Sequence, residues 1–417
     1  MCAHSTLATP SNEILPPMIA FAEPLAGLPP PRYDGSSLLN LAATLAAMHG
    51  AAPAYPLLAD AALRAPLLQS RRLVLWLIDG LGVEPLQQLA PHSALSRSMV
   101  GELEAIFPSS TAPTLTMFAT GRSPAVHAVP EWFLWLDEFG AIYRALPLDA
   151  RDAAAGRPPI ADAASVYPLP ALTVGSRRRS FAVLPETICE SVYSRYAHAG
   201  STRLGFHDAA SFSEAVLGAV DAGGDGCYVF AYVDAFDATA HEFGVASRQA
   251  QAVLQTLDLV FEQLAAALAE RGALLAVTAD HGFLDVPPQR RFLLDDFCDL
   301  AACLERPLTG GPRAPLLHVK RQRQDHFPAL VERLLGDHFV AVPSGDIAAA
   351  GWFGPEPVDA HDARLPSRLG SHVLLPRSDA YLVDLLPGER KPGLIGMHGG
   401  RASAETRVPL ILAGCSP

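Results

Sequence analysis

The sequence predicts an α/β fold with a doubly wound, mostly parallel sheet and inserted cap segments. Apolar runs of strand length occur in "RRLVLWLIDGLG" (71–82), "GCYVFAYVD" (226–234) and "LLAVTADHGF" (274–283). Continuous apolar runs of this kind are typical of strands buried on both faces of a parallel sheet. Alanine-rich helical segments lie between them, and the alternation of strand and helix is that of βαβ units.

The composition indicates a globular protein with a large core. The chain has 417 residues, half of them hydrophobic, and a formal net charge of −12. A chain of this length fits one large domain with an inserted cap, or two domains that share a cleft. The negative charge argues against general binding of a nucleic-acid polymer, although a local basic pocket for one phosphate stays open.

The cysteines and the N-terminus indicate a reducing compartment. Six cysteines are scattered without a CxxC pair, so we interpret them as free thiols, with a disulfide between Cys298 and Cys303 as the alternative. The first 21 residues lack a basic segment followed by an apolar one, and no apolar run approaches about 18 residues. We therefore predict a cytoplasmic protein without a membrane segment.

Two regions are predicted along the chain. Residues 1–70 form an N-terminal extension that packs on the core: a proline-rich arm to about residue 35, then the helical "SSLLNLAATLAAMHG". Residues 71–417 form the main domain, which includes a long amphipathic helix in 247–272. The ranges 140–210 and 285–365 contain many prolines and arginines and show weaker periodicity, so we assign them to insertions or a cap.

Acidic residues follow three of the predicted strands. Asp79 follows the first, Asp234 and Asp237 the second, and Asp280 the third. If the strands are parallel, their carboxyl ends lie at one edge of the sheet, where ligand sites of such folds collect. Carboxylates held together repel each other unless cations neutralise them.

Histidines accompany these carboxylates. The spacing Asp237-x-x-x-His241 puts both side chains on one face of a helical turn, His281 directly follows Asp280, and His398 lies among glycines in "LIGMHGG". Each motif alone is common by chance, and a strand that ends in polar residues is an ordinary alternative. Their joint occurrence predicts a two-metal site, since carboxylates and imidazoles together suit a metal such as zinc.

A hydroxyl-rich segment offers a nucleophile. "FPSSTAPTLTMFATG" (107–121) contains Ser109, Ser110 and Thr111 just before an apolar-periodic run. The segment has the features of a helix N-terminus, where hydroxyls are also common as ordinary caps. The free N–H groups of a helix N-terminus favour a phosphate, and a nearby metal lowers the pKa of a hydroxyl.

These motifs resemble a known family. In chain order, "LIDG", "FPSSTAPTLTMFATG", "DATAHEFG", "TADHGF" and "GMHGG" are similar to the motifs of the alkaline phosphatase superfamily and, within it, of the type I phosphodiesterase/nucleotide pyrophosphatase family. They comprise about 60 residues but span the chain from 71 to 400. The resemblance implies an alkaline phosphatase-like sheet.

The resemblance also implies roles for residues. It assigns two divalent metal ions, with zinc favoured, to two ligand sets: Asp79, Thr111, Asp280 and His281 for one ion, and Asp237, His241 and His398 for the other. Thr111 is also implied as the nucleophile, since it lies two residues before Pro113 in the matched segment. Thr114 occupies the position of an asparagine in the family pattern and becomes a candidate substrate-binding residue.

The implied activity is hydrolysis of phosphodiester or nucleotide pyrophosphate bonds through a phospho-threonine intermediate, with a small phosphoester or nucleotide as substrate. Trp132 and Phe133 are candidate substrate-binding residues, although dense aromatics are more often core. The arginine runs 177–179 and 290–291 could bind a monoester instead. A phosphomonoesterase or phosphonate hydrolase is therefore the alternative, followed by a non-catalytic metal- or nucleotide-binding protein. The sequence predicts no oligomeric state.

Overall fold

The computed structural model describes residues 25, 27–152, 155–390 and 393–414. Its strands are β1 (Arg72–Ile78), β2 (Met99–Glu104), β3 (Phe133–Leu136), β4 (Ala141–Arg144), β5 (Arg179–Pro185), β6 (Ser201–Phe206), β7 (Cys227–Val233), β8 (Leu274–Thr278), β9 (Leu284–Asp285), β10 (Arg291–Leu293), β11 (Thr309–Gly311), β12 (Ala314–Leu317), β13 (Phe339–Pro343), β14 (His372–Pro376), β15 (Tyr381–Val383), β16 (Gly396–Met397) and β17 (Arg407–Gly414).

The α-helices are α1 (Leu38–Met48), α2 (Ala61–Gln69), α3 (Val83–Leu89), α4 (Ala94–Arg97), α5 (Thr111–Thr120), α6 (Pro124–His127), α7 (Glu186–Cys189), α8 (Val192–Ala197), α9 (Ala209–Ala222), α10 (Ala235–Phe243), α11 (Arg248–Glu270), α12 (Cys298–Ala301), α13 (Phe327–Leu335), α14 (Ser344–Ala349), α15 (Leu365–Leu369) and α16 (Ser403–Thr406). Short 3-10 helices cover Ala163–Ser165, Pro288–Arg290, Leu294–Asp296, Arg321–His326 and Val358–Ala360.

A central sheet of the order β2-β17-β8-β1-β7-β5-β6 organises the main domain. Strand β1 pairs in parallel with β7 on one side and with β8 on the other, and β5 pairs in parallel with β7 and β6. Strand β17 is antiparallel to both of its neighbours. The predicted α/β fold with a mostly parallel sheet is confirmed.

The three strands predicted from apolar runs lie side by side at the centre of this sheet. Every residue of β7 and of β8 is buried, as is every residue of β1 after Arg72. Strands covered by helices on both faces bury both sets of alternating side chains, which explains runs without polar alternation. Tyr228, Phe230 and Tyr232 point to the face of α1 and α5, whereas Trp76 on β1 packs against Phe212 of α9 on the other face.

A second sheet, of the order β13-β14-β12-β11-β3-β4, has its own apolar clusters. Most of its strands come from residues 309–376, so the predicted insertion near 285–365 overlaps it. The range 140–210 differs from the prediction, because β5 and β6 within it are strands of the central sheet. Strand β5 has only a short apolar run between an arginine cluster and Pro185, which is too short to show a period.

The described part of the N-terminal extension includes α1, which lies in the main core with nearly every residue buried. The proline-rich arm falls mostly in residues 1–24, outside the described residues. The four described cysteines are free thiols, in agreement with the interpretation from sequence; Cys2 and Cys415 are outside the described residues. Cys298 and Cys303 are therefore not joined.

Helix α11 is long and apolar enough, by length and composition, to cross a membrane. A core helix of a soluble protein passes the same test, so one such helix is weak evidence. Its buried residues, which include Leu254, Phe261 and Leu268, form one face that belongs to the main core. Its other positions include exposed polar residues, as in an amphipathic surface helix.

Candidate active site

Three carboxylates meet at the carboxyl edge of the central sheet. Asp79 follows β1 and is held by a hydrogen bond from its backbone N–H to the carbonyl of Val233 on β7 (2.9 Å). Asp280 lies two residues after β8, and its Oδ1 accepts hydrogen bonds from the N–H groups of Gly80 (3.0 Å) and His281 (3.1 Å). Asp237 lies on α10, which begins directly after β7 and the single residue Asp234. The convergence predicted from the parallel strands is what the structure has.

The hydroxyl of Thr111 faces this cluster. Thr111 is the first residue of α5, and Ser110 is its N-cap. Its Oγ1 lies 3.1 Å from Nε2 of His281 and 3.4 Å from Oδ1 of Asp79. Ser109 instead donates to the carbonyl of Gly400, and Ser110 donates to Glu131. Thr111 alone of these three neighbouring hydroxyls therefore lies at the carboxylates.

The three histidines present the same ring nitrogen to the cluster. Nδ1 of His241, His281 and His398 lies 2.8–3.1 Å from a backbone carbonyl, those of Gly396, Gly282 and Ser109 respectively. A carbonyl only accepts, so each Nδ1 carries a proton, and Nε2 is the nitrogen left to bind a metal ion. This arrangement is usual for histidines that bind metals.

Burial and mutual repulsion perturb the acidic groups. Burial, then the neighbouring Asp237, raises the pKa of Asp79 well above its usual value. Burial likewise raises the pKa of Asp237 and of Asp280 to about 7, and for Asp280 the charge of Asp79 adds to it. The protein itself therefore supplies too little positive charge to balance three ionised, buried carboxylates.

Burial favours the neutral form of two of the imidazoles. Burial lowers the pKa of His241 to about 4, and burial together with the nearby His281 and His241 lowers the pKa of His398 well below its usual value. The rings of His281 and His398 stack with centroids 3.6 Å apart. A neutral imidazole is the form that binds a metal ion.

The donor atoms fit divalent metal ions. Oδ1 of Asp237 and Oδ2 of Asp280 are buried without a hydrogen-bond partner among the described residues. Two groups of residues each bring their candidate ligand atoms within 4.8 Å of one another. One group is Asp79, Asp280 and His281, and the other is Asp237, His281 and His398. The first group agrees with the ligand set implied by the sequence. The second contains His281 where the sequence implied His241, whose Nε2 nevertheless lies 3.5 Å from Asp237.

Two cavities meet at Thr111. The first, of about 490 Å³, extends between α1, α5 and the aromatic face of β7. The second, of about 550 Å³, lies between the metal-competent cluster and strands β3 and β11 of the second sheet. Thr111, Trp132 and Asp237 line both. A molecule bound at Thr111 therefore has space on two sides.

Two of the three candidate substrate-binding residues line the cavities. Trp132 lines both cavities and Phe133 lines the second, where the guanidinium of Arg151 lies 4.7 Å from the centre of its ring. Thr114 is fully buried and lines neither cavity; its hydroxyl lies 3.5 Å from the carbonyl of Asp280. Thr114 lies in the first turn of helix α5 and reaches backbone rather than a cavity, so its role in substrate binding stays a prediction.

The arginine runs do not contribute to the described cavities. Arg178 donates to the carbonyls of Met48 and Ser70, and Arg179 begins β5, so both lie at the end of the sheet opposite the site. Arg290 pairs with Asp379. The cation that a monoester would need does not come from these runs.

Two residues of the site were not predicted from sequence. The hydroxyl of Tyr232 donates to Oδ2 of Asp79, and the buried Glu131 lines the second cavity beside Ser110. Tyr232 could have been found by the alternation of β7, since it precedes Asp234 by two residues. Glu131 stands as an isolated acidic residue in the apolar "VPEWF", which is a signal for a buried carboxylate.

The comparison with family models decides the relationship. The model of the family "Type I phosphodiesterase / nucleotide pyrophosphatase" matches residues 73–401. The chain belongs to this family. The match contains every motif from the strand before Asp79 to His398, and membership supports hydrolysis of phosphodiester or pyrophosphate bonds as the reaction class. No curated protein matches the chain significantly.

Solved structures have the same fold. Murine ectonucleotide pyrophosphatase/phosphodiesterase 5 superposes with a TM-score of 0.61 at 15% identity, with 83% of this chain and 88% of the other covered. An inactive threonine-to-alanine variant of that murine protein, in complex with AMP, gives 0.60 with the same identity and coverage. The human protein gives 0.60 at 13% identity, with 82% and 88% covered. At these identities the likeness shows the fold.

Proposed function

We propose that this family member is a two-metal phosphodiesterase that cleaves phosphodiester or nucleotide pyrophosphate bonds with Thr111 as the nucleophile. One observation carries the proposal: the Thr111 hydroxyl lies at the N-terminus of α5, within 3.5 Å of Asp79 and His281 and at the junction of two cavities. Nucleophile, charge-binding groups and space for two ester groups thus occur together.

Two divalent ions fit the donor atoms. Asp79, Asp280, His281 and Thr111 would hold one, and Asp237, His398 and His241 the other. The mixture of imidazole nitrogen and carboxylate oxygen favours zinc over magnesium, which prefers oxygen ligands. When bound, such ions lower the pKa of the threonine hydroxyl and neutralise charge on the attacking and leaving oxygens.

The residues of the chain support a displacement in two steps. Oγ1 of Thr111 attacks phosphorus, the bond from phosphorus to the first ester oxygen breaks, and that group leaves as an alcohol or a nucleotide fragment. A phospho-threonine ester remains, and water then attacks phosphorus and restores the threonine. The first N–H groups of α5 have no acceptor inside the helix and point to where a phosphoryl oxygen would bind.

The two cavities favour a diester. The described residues that line the first cavity include no Lys or Arg, and most of its wall is apolar or aromatic, with Leu115, Phe118 and Phe230 among its residues. This cavity suits an uncharged, largely apolar ester group. The second cavity contains Arg151 and Arg390 and suits a polar group. A small nucleotide substrate is consistent with this arrangement and with the AMP complex of the murine relative.

The test compares Thr111→Ala with the wild type on bis-p-nitrophenyl phosphate, with zinc present. We expect the rate of turnover to fall by at least about a thousandfold, the order of magnitude seen when a nucleophile is removed. Ser110→Ala is the matched control, since it removes the adjacent hydroxyl, which donates to Glu131. Its activity should persist.

Acid quenching of the wild type should trap a phosphorylated peptide that contains Thr111. Turnover that survives in Thr111→Ala would refute the nucleophile. If p-nitrophenyl phosphate is the better substrate, and Thr111→Ala abolishes its hydrolysis too, the site stands but the diester assignment gives way to the phosphomonoesterase alternative.

A further inference from the structure

Glu131 is a buried carboxylate beside the nucleophile without a charged partner. It is only 2% exposed and lies in the segment that enters β3. Its Oε2 accepts from the hydroxyl of Ser110 (3.2 Å) and from the N–H of Trp132. The structure gives no hydrogen bond to its Oε1 and no ion pair to either oxygen from any described residue.

Glycines leave room for this carboxylate at the cavity. A Cβ added to Gly311 would lie 2.4 Å from Oε1 of Glu131, and one added to Gly399 would lie 3.3 Å from it. Glu131 lines the second cavity together with Thr111 and His398. The carboxylate therefore lies at the wall of the cavity that Thr111 also lines, with glycine backbone rather than side chains on these two sides.

The surrounding charges do not neutralise Glu131. Arg151, in the same cavity, is already paired with Asp384 (2.8 Å) and Glu389 (2.9 Å). Arg313, whose Cβ also borders Gly399, forms a buried ion pair with Glu405. Arg390 lines the same cavity and forms no ion pair with Glu131 among the described residues. A substrate that carries an additional negative charge at phosphorus would therefore meet repulsion from Glu131 on this side.

We propose that Glu131 is a specificity-determining residue: its negative charge beside Thr111 disfavours doubly charged phosphomonoesters and so selects singly charged phosphodiesters. The inference rests on the proposed function and names the chemical class of substrate that the site accepts. In a partly buried site, one unit of like charge at a few ångströms changes binding by a factor of about ten to a hundred. Phosphoryl transfer itself is unchanged, because Glu131 takes no part in the bonds formed and broken.

The experiment measures the ratio of kcat/KM for bis-p-nitrophenyl phosphate to that for p-nitrophenyl phosphate, in wild type and in Glu131→Gln. Burial raises the pKa of Glu131 to about 7, so the assay is run near pH 9, roughly two units higher, where the carboxylate is ionised. Glutamine keeps the size of the side chain and the acceptor oxygen for Ser110. We expect the ratio to fall by about tenfold or more, mainly through a gain in monoester turnover.

Two further variants separate charge from structure. Glu131→Asp keeps the charge, so its ratio should stay near that of the wild type even if total activity falls. Ser110→Ala removes the hydrogen bond to Oε2 and keeps the carboxylate, so it should also preserve the ratio. A ratio altered equally in Ser110→Ala and Glu131→Gln would overturn the proposal, since the effect would then come from the position of the loop.

The outcomes also separate this inference from the proposed function. If the wild type hydrolyses the diester and Thr111→Ala abolishes the activity, but Glu131→Gln leaves the ratio unchanged, the role of Glu131 is wrong and the phosphodiesterase stands. If the wild type cleaves neither ester with zinc or manganese present, the phosphodiesterase proposal fails together with the role of Glu131.

Discussion

At the scale of single residues, the orientation of the histidines carries most of the chemical information. A sequence motif gives the presence of an imidazole but not the nitrogen that it presents. The carbonyls of Gly282, Gly396 and Ser109 accept from one nitrogen of each ring, so the other nitrogen, Nε2, faces the carboxylates. These carbonyls come from three separate segments of the chain, which is why the sequence alone does not reveal this feature.

The unbalanced carboxylates lead to a prediction about metal removal. A chelator should lower the midpoint of thermal unfolding by about 5 °C relative to protein saturated with zinc, since the bound ion stabilises the folded state and its loss leaves the buried carboxylates to repel each other. Differential scanning calorimetry, with bound zinc counted per chain, checks this expectation.

Asp280→Asn should reduce both the bound zinc and the difference in midpoint. The matched control is Asp221→Asn, which removes a carboxylate that pairs with Arg271 on the surface. This control should behave as the wild type does. A midpoint in the wild type that does not respond to the chelator would contradict a metal site at these residues.

Residue identities were predicted more successfully than residue environments. Asp79, Asp237 and Asp280 were singled out at strand ends, which a parallel sheet brings to one edge, whereas His398 was singled out by the glycines around it. The burial of Thr114 outside both cavities and the position of Glu131 at the second cavity were not predicted. Both depend on which way a side chain points from a helix or a loop once the second sheet has packed, and neither periodicity nor motif spacing contains that information.

At the scale of elements, the close approach of two strand-end loops positions the cluster. The Cα of Gly282 would lie 2.8 Å from a Cβ added at Gly82, and the N–H of Gly282 donates to the carbonyl of Glu405 (2.8 Å). The turns after β1 and β8 are therefore in backbone contact with each other and with the segment around α16. Asp79 and Asp280 approach each other because no side chain separates these turns.

Gly282→Ala should disrupt this contact. A Cβ there would lie 2.1 Å from the carbonyl oxygen of Ala404, so backbone must move. We expect a loss of about 2 kcal/mol in the free energy of unfolding, from urea titration, and weaker zinc binding because Asp280 and His281 shift.

Gly218→Ala is the control for this change. Gly218 lies on the exposed side of α9 with no atom near a new Cβ, so the substitution should stabilise the protein by up to about 1 kcal/mol. Equal effects of the two substitutions would show that contact between the turns does not matter.

Strands of the central sheet differed in how well the sequence predicted them. The strands β1, β7 and β8 were recognised because both of their faces are buried and their apolar runs are long. The strands β5 and β6 lie toward the edge of the sheet, and β6 consists of partly buried and exposed residues. Their range was therefore assigned to an insertion, although hydrogen bonds to β7 make β5 part of the main sheet.

At the scale of the whole molecule, stability should depend on pH through histidines outside the site. His127 at the end of α6 is fully buried, and its Nε2 has no hydrogen-bond partner among the described residues. Burial lowers the pKa of His127 to about 3, below the value of about 6.5 expected for the unfolded chain. The unfolded state thus binds a proton first as the pH falls.

The sign of the effect follows from this difference. The contribution of a neutral His127 is fully present above the unfolded pKa and is lost as the pH falls below about 6.5, by about 2 kcal/mol at pH 5. His127→Gln keeps an acceptor for the N–H of Val129 and cannot titrate. Between pH 7.5 and 5, its free energy of unfolding should fall by about 2 kcal/mol less than that of the wild type. If the free energy of unfolding falls equally with pH in His127→Gln and in the wild type, the prediction is contradicted.

The two cavities are built from different parts of the chain. The first takes its walls from α1, α5 and the central sheet, and the second takes many of its own from β3, β11 and the segment around Asp384. Mutations that reshape one cavity can therefore leave the other, and the cluster between them, unaltered. Substrate range in this architecture can evolve one ester group at a time, with the phosphoryl chemistry inherited unchanged.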